Sequence, residues 1–372
     1  MKRLALEGTL AGDRERQQEL AGQQLLPGLP DHITLKMIVS KVGREMLPVL
    51  NAVSWAWTHA IRTRQVYEAR IQAQSTEDFI LFVYFDCWQG HTNVVSLYSM
   101  KTQTAYQLPP IPNVYGGIPV HCQAVSVDGK VYVLGGRVES ATQRGSSKVY
   151  LRDLVELRPW RECASMHEPR EKFQCGVLGG KIYAFGGCNA TGPVGGAEVY
   201  DPKKNTWTWI TPIVSRQCAY LVGVLGDQLQ TLELDGGDDD WEEDPANNNV
   251  DAAWKPEGVG FISHGKLHSL SGDAIQVYDD DTNEWRKVHL CKFAGFGGNL
   301  MTIFPLAVVP VEDKIFALVD WSSEGQHGSC LVGGTGLGSK EQEEILFQPV
   351  ELGLRGFTGV SDSVYSPYPF QL

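Results

Sequence analysis

The fold class is decided by two octapeptides, Gly129-Lys-Val-Tyr-Val-Leu-Gly-Gly136 and Gly180-Lys-Ile-Tyr-Ala-Phe-Gly-Gly187, which begin 51 positions apart. Self-similarity at a spacing of roughly 50 residues is the sequence signature of a repeat architecture. The chain is therefore expected to build one structural unit several times.

Weaker copies of the octapeptide occur on both sides of these two. They are residues 78–85, 226–233, 265–272 and 313–320. The six copies start at steps of 51, 51, 46, 39 and 48 residues, which predicts six units.

Each unit also has a second half, in which a strand ends in an aromatic residue and a polar turn leads to another aromatic residue. Val199-Tyr-Asp-Pro-Lys-Lys-Asn-Thr-Trp207 and Val277-Tyr-Asp-Asp-Asp-Thr-Asn-Glu-Trp285 agree at their Val, Tyr, Asp, Asn and Trp positions. A polar turn between two such stretches is typical of a β-hairpin.

Four short strands per unit, with little helical periodicity, predict an all-β repeat whose sheets pack face to face around a ring. The Gly-Gly doublet is expected at the end of the second strand, where the lack of a Cβ permits positive φ and close backbone approach. Unit 1 starts directly with its second strand, since the segment before it has a helical pattern. Residues 356–366 are expected to supply the missing first strand and close the ring.

This pattern resembles that of kelch-repeat propellers, whose signature is a Gly-Gly doublet, then a Tyr, then a Trp. Units 2 and 3 fit well, whereas units 5 and 6 replace the doublet by Ser271-Gly272 and Val319-Asp320, and units 1 and 6 lack the Trp. The resemblance implies a mostly β chain with a six-bladed kelch-type β-propeller. Another type of propeller is the alternative.

Residues 25–64 have a helical pattern instead. Apolar residues at positions 47, 50, 53, 57 and 61 predict one stripe along a helix. An earlier helical stretch is expected after Leu29-Pro30, with Asp31 as its N-cap. Two helices of this size are too small for an independent core, so they need a partner or the β domain to cover their apolar side.

The stretch from Leu29-Pro30-Asp31 to Val53-Ser54 and Trp57 resembles an F-box, although Val39 and Trp55 depart from the usual pattern. The resemblance implies helices that dock in a groove of a Skp-type adaptor, and through it on a cullin. The residues expected to contact the adaptor are Leu29, Pro30, Ile33, Ile38, Leu50, Val53 and Trp57, with Leu50 and Trp57 at the centre. An ordinary helical hairpin packed on the propeller is the alternative.

The charge distribution excludes some classes of partner. The net charge is −12, with +2 in residues 1–77 and −14 in the remainder, so the basic stripe that nucleic-acid binding requires is absent. No stretch has the pattern of a signal peptide, and the longest apolar run, residues 300–311, is too short for a membrane helix and contains two prolines. The eight cysteines include no C-x-x-C pair, which predicts reduced thiols in a cytoplasmic or nuclear protein.

Patterns of catalytic chemistry are weak. His264 and His268 flank a turn that directs them along different strands, and His121 has no carboxylate partner placed by the sequence. The Gly-Gly pairs precede strands rather than helices, so they do not form a phosphate site. The sequence predicts no catalytic residue, no metal and no cofactor, and a kelch propeller enzyme is a remote alternative.

The strongest local charge feature is the acidic stretch DGGDDDWEED at residues 235–244. A block of like charge is most simply a solvated loop. Because it follows the fourth octapeptide, it is expected between the second and third strands, on the face where related propellers hold partners, and it suggests a partner with a basic patch. The residues expected on this target-binding face are Arg137, Arg144, Arg170, Asn189, Arg216, Asp238, Asp239, Asp240, Glu242, Glu243 and Asp273.

These patterns predict a flexible or disordered segment at residues 1–24, an F-box module at 25–70, a linker at 71–77 and a kelch propeller at 78–372. The resemblance to plant F-box/kelch-repeat proteins implies a non-catalytic substrate receptor of a Skp–cullin–F-box ubiquitin ligase, which captures a target protein for ubiquitination and degradation. A scaffold that binds the adaptor without turnover of its partner is the alternative.

Overall fold

A computed structural model describes residues 24–43, 46–86, 92–138, 145–194, 196–210, 220–225, 228–233, 259–263, 266–279, 282, 284–294, 302–311, 314–323, 326–337, 344–350 and 365–371. The chain divides into two compact units. The helical unit contains the residues up to Asp78, with the short pieces Asp153–Pro159 and Gln371–Leu372. The β unit contains Phe79–Arg152 and Trp160–Phe370.

Short helical segments make up most of the described residues 24–43 and 46–78 of the helical unit. They are α1 (Asp31–Ile33), a π-helical turn (Thr34–Ile38), a 3-10 turn (Val39–Lys41), α2 (Leu47–Val53), α3 (Trp55–Ala60) and α4 (Arg64–Gln72). Their buried apolar core consists of Leu25, Leu35, Val39, Trp57, Ile61 and Val66. The Nη2 of Arg70 donates to the carbonyl of Val42 at 2.5 Å, which fixes α4 beside the 3-10 turn.

The helix predicted over positions 47–61 is two helices in the structure. They meet at Ser54, whose extended backbone (φ −166°, ψ 169°) ends α2 and whose hydroxyl caps α3 by accepting from the Trp57 N–H at 3.3 Å. Serine competes for backbone hydrogen bonds in this way, and a stripe of apolar residues does not reveal it.

Asp31 is not the N-cap that the sequence predicts. It lies in the first turn of α1, and its Oδ1 accepts a hydrogen bond from the backbone N–H of Leu25 at 2.8 Å. The carboxylate therefore accepts from a backbone N–H of the segment before the helix and does not cap the helix.

Three sheets of the β unit have four strands each. In pairing order they are β24 (Tyr365–Gln371), β1 (Asp78–Asp86), β2 (Thr92–Ser99) and β3 (Thr104–Gln107); β4 (Gln123–Val127), β5 (Lys130–Leu134), β6 (Val149–Asp153) and β7 (Arg161–Glu162); and β8 (Gln174–Leu178), β9 (Lys181–Phe185), β12 (Ala197–Asp201) and β13 (Thr206–Ile210). A small hairpin, β10 (Cys188–Asn189) and β11 (Gly192–Pro193), follows β9. The structure places β24 where unit 1 lacks a first strand, and most of the expected segment 356–366 lies outside the described residues.

The remaining strands form a hairpin and one large sheet. The hairpin is β14 (Tyr220–Leu225) with β15 (Gln228–Glu233). The large sheet has eight strands, in pairing order β16 (Val259–Ser263), β17 (Lys266–Leu270), β18 (Ala274–Asp279), β19 (Glu284–Phe293), β23 (Glu344–Pro349), β22 (Gln326–Thr335), β21 (Lys314–Ser323) and β20 (Thr302–Val311).

Units 5 and 6, expected as separate sheets, are thus joined in one sheet. Strand β19 continues past its hairpin with β18, and its last four residues pair in parallel with β23, from Leu290 opposite Glu344 to Phe293 opposite Phe347. The rings of Phe293 and Phe347 stack with centroids 4.9 Å apart across this join. The extra length of β19 is the physical reason for the departure from six separate sheets.

Every octapeptide contributes the second strand of its unit, namely β1, β5, β9, β15, β17 and β21. The Gly-Gly doublets end two of these strands, and both lie against residues 170–173, the segment that enters the third sheet. The N–H of Gly136 donates to the Arg170 carbonyl at 2.8 Å, and a Cβ on Gly135, whose φ is +60°, would lie 2.5 Å from that same oxygen. The close backbone approach predicted for the doublets is confirmed at these positions.

The aromatic hairpins form as the sequence predicts, with Tyr200 opposite Trp207 in β12–β13 and Tyr278 opposite Trp285 in β18–β19. The Nε1 of Trp207 donates to the Ala164 carbonyl at 3.0 Å, in the segment that leads into its own unit. Trp160 makes the same kind of bond to Pro109 at 2.6 Å. Trp160 and Trp207 therefore tie the end of a unit to the segment that enters the same unit.

Neighbouring sheets bury their apolar faces against each other. Tyr132 of β5 and Tyr200 of β12 meet edge to face, with centroids 5.8 Å apart, in the core shared by the second and third sheets. The first sheet packs against β21 and β22 of the large sheet, since Ile80 and Phe82 share a core with Phe316 and Leu331. The first strands also follow one another in space: β4 contacts β8, β8 contacts β14, β14 contacts β16, and β16 contacts β20.

Removal of β24 is expected to destabilise the β unit. Deleting residues 365–372 leaves one edge of β1 without its hydrogen-bonding neighbour, and an open edge is a template for aggregation. We expect the Tm to fall by about 10 °C or more, with aggregation visible by light scattering. An unchanged Tm in the shortened chain would show that β24 is dispensable.

Candidate functional site

The surface of the helical unit carries part of the expected adaptor contact. Ile38 and Val53 are 40% and 58% exposed, and Pro30 is also exposed. Leu29 and Ile33 are half-buried. These five side chains are at least partly accessible to a partner.

The expected centre of that contact, Leu50 and Trp57, faces inward. Leu50 is half-buried against the core, and Trp57 belongs to the core with 9% of its surface exposed. The indole Nε1 of Trp57 donates to the carbonyl of Leu25 at 3.1 Å. The structure therefore gives these two residues a role in holding the helices together.

Between residues 37 and 55 of the same unit, sequence reasoning left four exposed apolar side chains out of the contact. They are Met37, Met46, Val49 and Trp55, which are 54%, 45%, 55% and 76% exposed. The spacing of three and four residues from Met46 to Val49 to Val53 was the signal that could have found three residues of this surface. Apolar side chains exposed together mark a protein-interaction site.

Three residues expected on the target-binding face, Arg137, Arg170 and Asn189, follow or precede strands of the second and third sheets. Arg137 follows β5 and pairs with Val120, with N···O distances of 2.7 and 2.8 Å. Glu171 pairs in the same way with Cys188, at 2.9 Å in both directions. Together with the bond from the Gly136 N–H to the Arg170 carbonyl, these bridges hold the segments that contain Arg137, Arg170 and Asn189 next to one another.

Arg137 and Glu171 form an ion pair at this end of the sheets. The Nε of Arg137 lies 3.7 Å from Oε2 of Glu171, and their side chains are 35% and 4% exposed. The sequence pattern did not predict Glu171. Because its carboxylate offsets the guanidinium, this part of the face is less positive than Arg137 by itself implies.

Two other expected residues have local partners. The Oδ1 of Asn189 accepts from the Thr191 N–H at 2.8 Å, which fixes the β10–β11 turn. Asp273 is exposed, and hydrogen bonds from the Ser271 hydroxyl and the Lys287 ammonium lower the pKa of its carboxyl. Asp273 therefore stays ionised and available at the surface.

The prediction that Arg170 lies on the target-binding face is wrong, because its side chain is fully buried. Its Nη2 lies 2.9 Å from Oε1 of Glu198, whose side chain is also fully buried, and its Nη1 donates to the carbonyls of Gly186 and Gly196. The other carboxylate oxygen, Oε2, lies 2.9 Å from Nδ1 of His167. Arg170 thus acts inside the third sheet.

The other residues of the expected face lie outside the described residues. They are Arg144, Arg216, Asp238, Asp239, Asp240, Glu242 and Glu243, together with the whole acidic stretch 235–244.

The loop between β3 and β4 adds a residue that sequence reasoning missed. Tyr115 is 65% exposed, while Ile111 and Ile118 on either side of it are buried. The N–H of Ile111 donates to the carbonyl of Gly117 at 2.9 Å, which closes the loop. The Gly116-Gly117 pair, both with positive φ, was the sequence signal for this turn.

Two cysteines in the described part of the chain, Cys122 and Cys291, have raised thiol pKa values. Burial raises the pKa of the Cys122 and Cys291 thiols to about 12 in each case, so both stay protonated at neutral pH. Within the described ranges no group of three or more His, Cys, Asp or Glu side chains is placed to hold a metal ion. None of the described helices has the length and apolarity needed to cross a membrane.

Comparison with known proteins agrees with this architecture. The family model for the kelch motif matches residues 169–212, which span the third sheet. F-box/kelch-repeat protein SKIP30 of Arabidopsis thaliana is 29% identical over 293 residues, which cover 73% of this chain and 78% of that protein. The chain is a relative of the plant F-box/kelch-repeat proteins. A further Arabidopsis F-box/kelch-repeat protein is 27% identical over 70% of this chain and 71% of its own length.

Other F-box/kelch-repeat relatives align over a smaller part. Two of them, also from Arabidopsis, are each 29% identical, over 188 and 192 residues, which are 50% of this chain and 48% of their own lengths. The chain thus spans about half the length of these two relatives.

Proposed function

We propose that this F-box/kelch-repeat relative is the non-catalytic substrate receptor of a Skp–cullin–F-box ubiquitin ligase. The helical unit would be the F-box that docks on a Skp-type adaptor, and the β unit would hold the target protein. The observation that carries the proposal is the exposed apolar surface of the helical unit, with Ile38 and Val53, in a chain whose relatives are named F-box/kelch-repeat proteins. The mechanism is positioning: it holds a target close to the ubiquitin-charged enzyme.

We further propose that the β unit is a six-bladed kelch propeller. Three observations support a ring of units. The octapeptides form six second strands, neighbouring sheets share apolar cores, and the first strands from β4 to β20 follow one another in space. The core shared by Ile80 and Phe316 supports contact between the first and last units. The join of β19 with β23 makes two of the blades continuous.

The proposed target site is the loop end that contains Arg137, Asn189, Asp273 and the exposed Tyr115. Exposed tyrosine and arginine side chains are typical of protein-binding surfaces. The proposal that the target carries a basic patch rests on the sequence of the acidic stretch 235–244.

Adaptor binding is tested by replacing two exposed residues of the expected contact, Ile38→Asp together with Val53→Asp. Placing two carboxylates on a surface that becomes desolvated is expected to weaken binding to a purified Skp-type adaptor at least about 30-fold. The measurement is isothermal titration calorimetry, supported by co-purification of adaptor and cullin. The matched control is Leu346→Asp, an exposed apolar residue of β23 that should leave adaptor binding unchanged.

Failure of the unaltered chain to bind any Skp-type adaptor would refute the F-box assignment. Adaptor and cullin binding without turnover of a captured partner would identify a scaffold instead of a receptor. This second outcome is read from partner abundance with and without proteasome inhibition.

A further inference from the structure

One side of α2 and its N-cap residue, Met46, carries three exposed apolar residues. Met46, Val49 and Val53 follow one another at steps of three and four positions, which places them on the same side of a helix. Leu47 and Leu50 lie on the adjoining flank of the helix and pack against the core. Within the described part of the helical unit, the stripe of Met46, Val49 and Val53 is left open to solvent.

Trp55 follows directly after this stripe and is the most exposed large apolar side chain described, at 76%. Its orientation is imposed by its neighbour. Trp57 is held in the core by its bond to Leu25, and two residues along a helix correspond to a rotation of roughly 200°. Trp55 is therefore directed to the opposite side of α3, away from the core.

The corner between α2 and α3 that presents Trp55 is well fixed. The Thr58 hydroxyl donates to the Asn51 carbonyl at 2.7 Å, and the Thr58 N–H donates to the Ser54 carbonyl at 2.9 Å. The Ser54 hydroxyl accepts from Trp57, as described above. A side chain on such a corner loses little conformational entropy on binding, which favours its use as an anchor.

The described residues 24–43 and 46–64, which carry this surface, are basic overall. Lys36, Lys41 and Arg62 are exposed, and none of them forms an ion pair within the described residues. Asp31 is the one acidic residue in the described ranges 24–43 and 46–64, and its carboxylate already accepts from Leu25. A partner for this surface should therefore present acidic groups around an apolar centre.

We infer that Trp55 is the anchor residue of the adaptor-docking surface and that its occupant is a Skp-type adaptor with an indole-sized apolar pocket surrounded by acidic side chains. This inference rests on the proposed function and names a residue at which the chain departs from the usual F-box pattern. Tryptophan dominates binding energy where it fills a desolvated pocket. A second copy of the helical unit is a poorer occupant, because it would place Lys36, Lys41 and Arg62 of both copies against each other.

The experiment compares four full-length chains by titration calorimetry against one recombinant Skp-type adaptor from Arabidopsis thaliana. We expect Trp55→Ala to weaken binding about 30-fold or more, and Trp55→Phe to retain most of the affinity. The control is Trp209→Ala, which removes another exposed indole, 47% accessible and located in β13, and should not alter the affinity. Circular dichroism should show equal helix content in all four chains, since Trp55 makes little contact with the core.

The contribution of the exposed basic residues is tested separately, with Lys36→Gln and Lys41→Gln combined in one chain. The association rate should fall several-fold at low salt, and the difference from the unaltered chain should shrink as salt is raised. Lys181→Gln, at an exposed lysine of β9, is the matched control for loss of a surface charge.

Each result has a distinct meaning. Adaptor binding by the unaltered chain that survives Trp55→Ala would overturn the inference while leaving the proposed function intact. Self-association of the unaltered chain that Trp55→Ala abolishes, seen by light scattering, would show that a second copy is the occupant and would also overturn it. No binding by the unaltered chain would refute the proposed function and the inference together.

Discussion

Replacing Glu198 by alanine is expected to lower the free energy of unfolding by about 3 to 5 kcal/mol. The side chains of Arg170 and Glu198 are both fully buried, with Nη2 and Oε1 2.9 Å apart. Alanine removes the carboxylate and leaves a guanidinium inside the third sheet without its counter-charge. It also removes Oε2, which accepts a hydrogen bond from the backbone N–H of His167 at 2.7 Å. Urea denaturation followed by tryptophan fluorescence measures the change.

The matched control is Glu162→Ala, which breaks an exposed pair of nearly the same length. The Nζ of Lys148 lies 3.0 Å from Oε1 of Glu162, and the two side chains are 50% and 57% exposed. Because water replaces the lost partner, the free energy of unfolding should change by no more than about 1 kcal/mol. Equal effects at Glu198 and Glu162 would contradict the argument from burial.

A double replacement separates the charge from the lost volume. Arg170→Met with Glu198→Leu removes both buried charges, so it should recover at least part of the stability lost in Glu198→Ala. Recovery would be incomplete, since the carbonyls of Gly186 and Gly196 would lose the donor they share. A double variant less stable than Glu198→Ala would show that the hydrogen bonds to Arg170 matter more than its charge.

The fold could be anticipated from the sequence where the repeat is regular. The octapeptides and the Tyr200–Trp207 hairpin appear at the strands predicted for them because alternation and turn residues act locally. The pairing of β19 with β23 could not be anticipated, since a parallel contact between residues about 54 positions apart has no local signal. The helix break at Ser54 depends on one hydroxyl cap, which apolar spacing does not report.

The candidate site was less predictable than the fold, because exposure depends on tertiary packing. Arg170 and Arg137 both look like loop arginines in the sequence, yet Arg170 is buried against Glu198, a partner 28 positions away. Trp55 and Trp57 differ by two positions and face opposite environments. The residue type alone does not show whether such a side chain is buried or exposed. That depends on which side of its helix or strand faces the core.

Replacing Gly187 by alanine is expected to destabilise the β unit by about 2 to 5 kcal/mol, from the sum of a strained backbone and an overpacked contact. Gly187 has φ +86°, and a Cβ there would lie 2.6 Å from Cβ of Phe173 and 2.7 Å from the Glu171 carbonyl oxygen. Neither neighbour can yield easily, because Phe173 is fully buried and Glu171 pairs with Cys188. The free energy of unfolding from urea titration is again the measurement.

Gly180→Ala distinguishes crowding from backbone strain, because Gly180 has a similar φ of +72° and no atom within 4 Å of the added Cβ. Gly180→Ala should lower the free energy of unfolding by about 1 to 2 kcal/mol from backbone strain. The lower entropy of the unfolded alanine chain offsets part of this loss. If Gly187→Ala costs no more than Gly180→Ala, the doublet is explained by its φ angles. A clearly larger cost at Gly187 means that the doublet is needed because the segment entering the third sheet must cross the end of β9 without a side chain between them.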